Sequence, residues 1–289
     1  MRFLEVDKKY RNIFILYLKI YGYFKSILDL FFLKITKDTN LDIIITTAEK
    51  DFDKIEKCVK SLRLYLLHNI SSIFIVAPKK NKIIEISKKL KCTFVDENEI
   101  INKNELNFEY VVNNLNRFGW IYQQLLNFKS VLSLGNERYK LSFDSDTELL
   151  KKQKFIFGDK VQFNVSDEYH EPYFSVAKKI LDLNVNTNFS MTSHHMIYDR
   201  LIMSEMLKKI ETVTNKNWIN GIISNSDLSN QSCHCEYETY GQYYYNHYRS
   251  QMKLEYWFNK TIFKDKTINF FEKIYYKSIS NHEWAKKIN

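Results

Sequence analysis

The chain has 289 residues, 45% apolar and 27% charged, with 2 prolines and 6 glycines, a balance that gives a globular protein with a real core and excludes a low-complexity or disordered one. The net charge is +9 and sits at the ends: residues 1–41 carry eight Lys/Arg against four Asp/Glu, and residues 260–289 carry seven against three. A nucleic-acid-binding domain more often holds its positive excess on the central fold, so nucleic acid is not the expected partner.

Residues 10–33 have the spacing of a long amphipathic helix. Arg11, Asn12, Lys19, Gly22, Lys25, Ser26 and Asp29 share one face, and Phe14, Leu18, Tyr21, Phe24, Leu28 and Phe32 the other. Such a helix can pack on the protein or lie in a membrane interface. After residue 40 the pattern changes. LDIIITT (41–47) reads as a buried parallel strand, followed by a helix over 53–68 with Ile55, Val59, Leu62 and Leu66 on one side. A second strand over 72–78 is stopped by Pro78, a helix covers 80–89, and a third strand covers 92–95. This β-α-β-α-β order begins an open, mostly parallel sheet with helices on both faces.

A helix over 118–131 then carries Trp120, Gln123 and Gln124. A strand over 139–143 delivers Asp144-Ser145-Asp146, and another spans 161–165. A strand-like run over 189–192 leads into Ser193-His194-His195-Met196, with a helix over 198–210, and the chain from Tyr243 on reads as helical, aromatic and basic. The organisation expected is an N-terminal amphipathic segment (1–40), a catalytic α/β domain (41–242) and a C-terminal helical extension (243–289).

No run of 18 uncharged apolar residues occurs, and the first apolar run is broken by Lys19 and Lys25 with no small-residue cleavage site after it. The expected location is cytoplasmic, with the basic aromatic ends able to rest on the inner face of the membrane. Cys58 and Cys92 lie in apolar segments and read as buried thiols. The Cys233-His234-Cys235 pair has no second pair to complete a zinc site, so it reads as reduced thiols.

Three segments could carry chemistry. Asp144 and Asp146 follow an apolar strand at spacing i, i+2, which on an extended backbone puts both carboxylates on one side. Their repulsion would be relieved by a hard divalent cation, and ligands of open α/β sheets bind at this strand edge. His194-His195 follows a strand-like run, and only one of the two can face a cleft; His195 is the candidate third metal ligand. Glu236-Tyr237-Glu238 sets carboxylates among aromatics, which suits a sugar site, as does the rival cluster Asp167-Glu168-Tyr169-His170-Glu171.

Together with DIIITTAEKD (42–51), GWIYQQLLNF (119–128), EYHEPYF (168–174) and SMTSHHMIYDR (190–200), these segments resemble GT-A glycosyltransferases, in particular bacterial proteins of surface-polysaccharide gene clusters. The resemblance covers residues 42–241 and implies a GT-A-like, Rossmann-like open mixed sheet. It implies transfer of a sugar from a nucleotide-sugar donor to a glycan or lipid-linked acceptor. Asp144 and Asp146 would hold Mn²⁺ or Mg²⁺ on the donor diphosphate. Thr46, Thr47 and Glu49 would line the nucleoside pocket, with Arg117, Gln123 and Gln124 reaching ribose or phosphate. Glu236 would be the catalytic base, with Asp167 as its substitute, although the family's late pair is often Glu-Asp and here it is Glu-Tyr-Glu.

A sugar-nucleotide pyrophosphorylase would need a glycine-rich loop after the first strand, and Thr46-Thr47-Ala48-Glu49-Lys50 has none. A D-x-D phosphohydrolase expects Thr or Val two residues past the second Asp, where this chain has Glu148. A non-catalytic membrane or nucleic-acid binding module would use the basic aromatic ends alone.

Overall fold

The computed structural model describes residues 2–32, 39–102, 118–230, 232–262 and 268–281. Strand β1 (Asn40–Thr46) is buried at every position after Asn40, as a central strand covered on both faces must be. It pairs in parallel with β2 (Asn69–Ala77) on one side and with β4 (Tyr139–Phe143) on the other. β3 (Thr93–Asp96) extends the parallel set beyond β2, and β8 (His195–Asp199) closes the other edge antiparallel to β4. The main sheet thus has the order β3-β2-β1-β4-β8, an α/β architecture with one reversed edge strand.

The helices follow from apolar spacing. α2 (Ile55–Tyr65) buries Ile55, Cys58, Val59 and Leu62, a stripe at three- and four-residue steps. α3 (Asn81–Lys89) and the short α4 (Glu97–Ile100) flank β3, and α5 (Phe118–Ser133) packs along β1. Past β4 come β5 (Thr147–Leu149), β6 (Ile156–Phe157), β7 (Lys160–Val165) and α6 (Glu171–Leu181), which starts with a proline in its first turn. α7 (Arg200–Thr214) follows β8 directly, capped by the Asp199 carboxylate on Leu201 N–H, and α8 (Trp218–Asn225) packs against it. The helix expected to begin at Tyr198 therefore begins at Arg200, because the strand runs on to Asp199.

The C-terminal stretch departs from the expected helical extension. α9 (Glu236–His247) runs straight through position 243, so no break falls there. Beyond it the chain adds β9 (Met252–Tyr256), β10 (Asn259–Thr261), the short α10 (Phe270–Tyr275) and β11 (Ser278–Ser280). β9 pairs in parallel with β7, and β11 pairs antiparallel with β5. These are cross-chain ladders, which local spacing does not encode. They stitch the C-terminal residues onto the segment that follows β4.

α1 (Arg2–Phe32) packs through a mixed face, in which Leu18 is buried and Phe14 and Ile15 lie against the core beside polar side chains. Lys25 Nζ lies 2.9 Å from the buried Glu255 carboxylate, Lys19 Nζ lies 2.7 Å from Asp167, and Ser26 is buried against Lys151. Glu255 is also met by the buried Lys277 of the C-terminal segment. A second buried pair closes the amino end of the main sheet. Asp42 of β1 and Lys140 of β4 are register partners, with Lys140 Nζ 2.5 Å from Asp42 Oδ2. Gly135 covers this pair in a left-handed conformation (φ +63°), where an added Cβ would stand 2.1 Å from Asp42 Oδ2.

Candidate functional site

The carboxyl edge of the sheet gathers the end of β1, the end of β4, the start of β8 and the first turn of α9. β4 ends at Phe143, and residues 144–147 form a tight turn closed by Thr147 N–H donating to Asp144 C=O at 3.1 Å. Asp144 and Asp146 therefore stand on a turn rather than on an extended strand, and the alternation argument does not apply to them. The Asp144 side chain retains 26% exposure and is gripped on both oxygens. Tyr237 Oη donates to Oδ1 at 3.0 Å, and His194 Nδ1 lies 3.2 Å from Oδ2. Asp146 is half-buried on the same turn.

His194, not His195, is the histidine beside Asp144. Its backbone adopts φ +62°, a left-handed conformation that costs a non-glycine residue roughly a kcal/mol or more. That twist directs its ring to Asp144, while its C=O accepts from Asp144 N–H at 3.0 Å. His195 begins β8 with its ring inside the core, 4.2 Å from the Trp257 ring and 4.9 Å from Phe155. Its Nε2 lies 3.1 Å from Asn164 Oδ1, and burial pushes its pKa down to about 3. The choice of His195 as a metal ligand is thus overturned: successive side chains at a strand start face opposite ways, and the second one took the core. Burial also works to lower the pKa of His194, yet it is raised. The Asp144 hydrogen bond and the charges of Asp144, Asp146 and Glu168 outweigh desolvation.

Glu236 opens α9 and is buried. Asn127 Nδ2 of α5 donates to its Oε1 at 2.9 Å, and Thr46 Oγ1 at the end of β1 donates to Asn127 Oδ1 at 2.7 Å. Gln124 Oε1 accepts from the Glu236 backbone N–H at 2.8 Å, and Gln123 Nε2 donates to Thr46 C=O at 3.4 Å. Thr46, Gln123, Gln124 and Glu236 are therefore brought together as one polar chain from β1 to α9. Burial, aided by the Asp144 charge, pushes Glu236 up to about 8, against the favourable hydrogen bond from Asn127. Glu238, two residues on and so on the other side of α9, is buried and fastens the approach to His194, accepting from Ser190 Oγ at 3.0 Å and Met191 N–H at 2.9 Å.

The remaining expected residues lie elsewhere. Thr47 is buried with its hydroxyl turned to the Ala48 carbonyl. The Glu49 side chain is 65% exposed and 3.7 Å from Lys80. Asp167 accepts from both Lys19 and Tyr256, so it is engaged in seating α1. Arg117 lies outside the described residues. All four cysteines are free thiols: three are buried, and Cys92, expected to be buried, is half-exposed.

Among the described residues, no three His, Cys, Asp or Glu side chains converge as a metal cage. The donor set at the turn nevertheless suits a hard cation of the Mg²⁺ or Mn²⁺ kind. Such ions are commonly held by one or two carboxylates while substrate phosphate and water complete the shell. Asp144 and Asp146 would supply the carboxylates, and His194, whose pKa they raise, would join only in its neutral form.

The two buried glutamates make stability depend on pH. An ordinary glutamate ionises near 4.5, whereas Glu236 and Glu238 are held up at about 8 and about 7. Their protonated forms favour the fold; that contribution is complete below the ordinary value and is lost as pH rises through the folded values. Glu236→Gln should therefore flatten the decline of melting temperature between about pH 4.5 and about pH 8. Differential scanning fluorimetry across that range checks this, and a decline as steep as the wild type's would contradict it.

Sequence reasoning missed His194, Tyr237 and Asn127 at this site. Asn127 lies in the GWIYQQLLNF segment, one turn beyond Gln123, where helical spacing could have selected it.

Among solved structures, the crystal structure of mouse xyloside xylosyltransferase 1 in its apo form matches 85% of this chain and 98% of that chain, with 11% identity and a TM-score of 0.46. No curated protein matches the chain in sequence. One family model matches residues 38–287, from just before β1 to beyond β11, and the chain therefore belongs to the family of unknown function DUF6492.

Proposed function

We propose that the protein is a metal-dependent glycosyltransferase that moves a sugar from a nucleotide-sugar donor to a glycan or lipid-linked acceptor. The observation that carries this reading is the convergence of Asp144, His194 and Glu236 at the carboxyl edge of β1 and β4, the edge where open α/β sheets take their ligands. Here the resemblance of the LSFDSDT and HHM segments to GT-A enzymes gains a spatial reason.

In this reading Asp144 and Asp146, with His194 in its neutral form, would hold Mn²⁺ or Mg²⁺ for the donor diphosphate. The cation, when bound, would stabilise negative charge on the departing diphosphate. Tyr237 fixes the Asp144 carboxylate in orientation by donating to one of its oxygens. Glu236 takes the proton of the acceptor hydroxyl as that oxygen attacks the anomeric carbon and the bond to diphosphate breaks. A carboxyl that ionises near 8 is a far stronger base than an ordinary glutamate, at the cost of being mostly protonated at neutral pH. The rate should accordingly climb through that range. The neighbouring Asn127 and Thr46 keep the base fixed. We assign the reaction to inverting transfer and the pathway to surface polysaccharide.

The D-x-D phosphohydrolase reading fares worse. That class expects Thr or Val two residues past the second Asp and the motif on the first strand, whereas this chain has Glu148 there and carries the motif on β4.

The test is a thermal-shift screen of nucleoside diphosphates and sugar nucleotides with and without Mn²⁺. One nucleoside diphosphate should raise the melting temperature only when Mn²⁺ is present, and Asp146→Asn should remove that rise. A flat response to every nucleotide would end the transferase reading.

A further inference from the structure

α1 is seated on the body by Leu18 and Phe14 together with polar side chains, which leaves other apolar side chains outside. Its polar side chains Lys19, Lys25 and Ser26 are spent on Asp167, Glu255 and Lys151. At the centre of this seat, Gly22 lets the helix close on Phe258, where an added Cβ would come within 3.3 Å. The opposite face carries Ile13, Leu16, Tyr17, Ile20, Phe24 and Leu28 at helical steps, each between 52% and 62% exposed. Over these positions the stripe runs about 22 Å at the usual helical rise. A contiguous apolar strip of that length marks an interaction surface.

Three observations say what covers it. α10 lies beside α1, with the Tyr23 and Tyr275 rings 6.0 Å apart, and adds Phe270 and Phe271 at 71% and 79% exposure, next to the exposed Lys273. Ile13 and Tyr17 also line a groove of about 800 Å³ between α1, α9 and β9. Arg249 stands on that groove, its guanidinium 4.7 Å over the Tyr245 ring, with no carboxylate partner among the described residues. Apolar and tyrosine side chains in one strip, with cations at its flank and a net charge of +9, complement an anionic lipid surface. None of the described helices is long and apolar enough to cross a membrane, so the helix would lie along the interface.

We propose that the outer face of α1, with Phe270 and Phe271 of α10, docks the protein on a bilayer containing anionic phospholipid. The mixed seat of Leu18, Lys19, Lys25 and Ser26 fixes the helix to the body, and the bilayer takes the exposed apolar side.

The experiment is co-sedimentation of the full chain with vesicles of phosphatidylcholine plus phosphatidylglycerol, and with vesicles of phosphatidylcholine alone. The wild type should bind the mixed vesicles and release them at high salt. Ile20→Glu with Phe24→Glu should weaken that binding about tenfold or more, with the melting temperature unchanged, because both side chains are exposed. Arg249→Ala should weaken it by about fivefold. Failure of the wild type to bind mixed vesicles, or equal binding by the double variant, would overturn the proposal. So would a wild-type dimer in sedimentation velocity that the double variant dissociates, for the stripe would then be covered by a second copy. Vesicle binding is read without any transfer, so it stands or falls independently of the glycosyl-transfer reading.

Discussion

Asp144→Asn should lower transfer, and metal-supported nucleotide affinity with it, by roughly a hundredfold or more while leaving the fold intact. The substitution keeps the shape of the side chain, and its amide oxygen can still accept from Tyr237 Oη, now 3.0 Å from Asp144 Oδ1. What is lost is the negative charge. A hard cation binds through charge and oxygen, and a neutral amide supplies only the second. The same variant has a readout that needs no substrate. Burial lowers the pKa of His194, and Asp144 is the leading influence raising it. With Asp144 neutral, burial should prevail and the His194 pKa should fall. NMR titration of the imidazole resonances measures that fall directly. Undiminished nucleotide affinity in Mn²⁺ together with an unmoved His194 titration would show that Asp144 is not the electrostatic centre of this edge.

The second large effect is on stability and lies at the other end of the same two strands. Lys140→Met should destabilise the protein by about 3–5 kcal/mol. Lys140 and Asp42 are both inside the core, and Asp42 Oδ2 has as its other partner the Glu137 N–H at 3.1 Å. Removing the ammonium leaves a buried carboxylate with one neutral donor. Replacing both partners, Lys140→Met with Asp42→Asn, should recover much of the loss, since an amide is far cheaper to bury than an unpaired charge. Urea denaturation of the two single variants and the double variant measures the coupling. Strictly additive effects would mean that the pair does not act as a unit.

The core strands and their helices were legible because their signal is local. Residues 41–47 are β-branched and apolar, and a run of that kind is stable only when covered on both faces, which makes it a central strand. The periodic burial of α2 was legible for the same reason. The position of Asp144 and Asp146 after an apolar strand was also visible, because that strand is a local signal; that they stand on a turn was not. Which histidine faces Asp144 was not legible. That choice depends on a left-handed twist at His194 and on the cavity formed by Trp257 and Phe155, one of them some sixty residues further along the chain.

By itself the sequence determined the alternating α/β order, the place where carboxylates meet the strand edge, and the presence of a long amphipathic helix at the start. Each of these follows from hydrophobic spacing within about ten residues. Only the tertiary structure decided that β9 and β11 are strands, that Asp167 seats α1 rather than joining Asp144, and that α1 turns Lys19, Lys25 and Ser26 inward beside Leu18. The physical reason is common to all three. Glu255 and the unpaired edges of β5 and β7 are desolvated by distant parts of the chain, and the exposed Asp167 draws Lys19 by charge. Satisfying them outweighs the amphipathic preference that α1 and the last forty residues would follow alone.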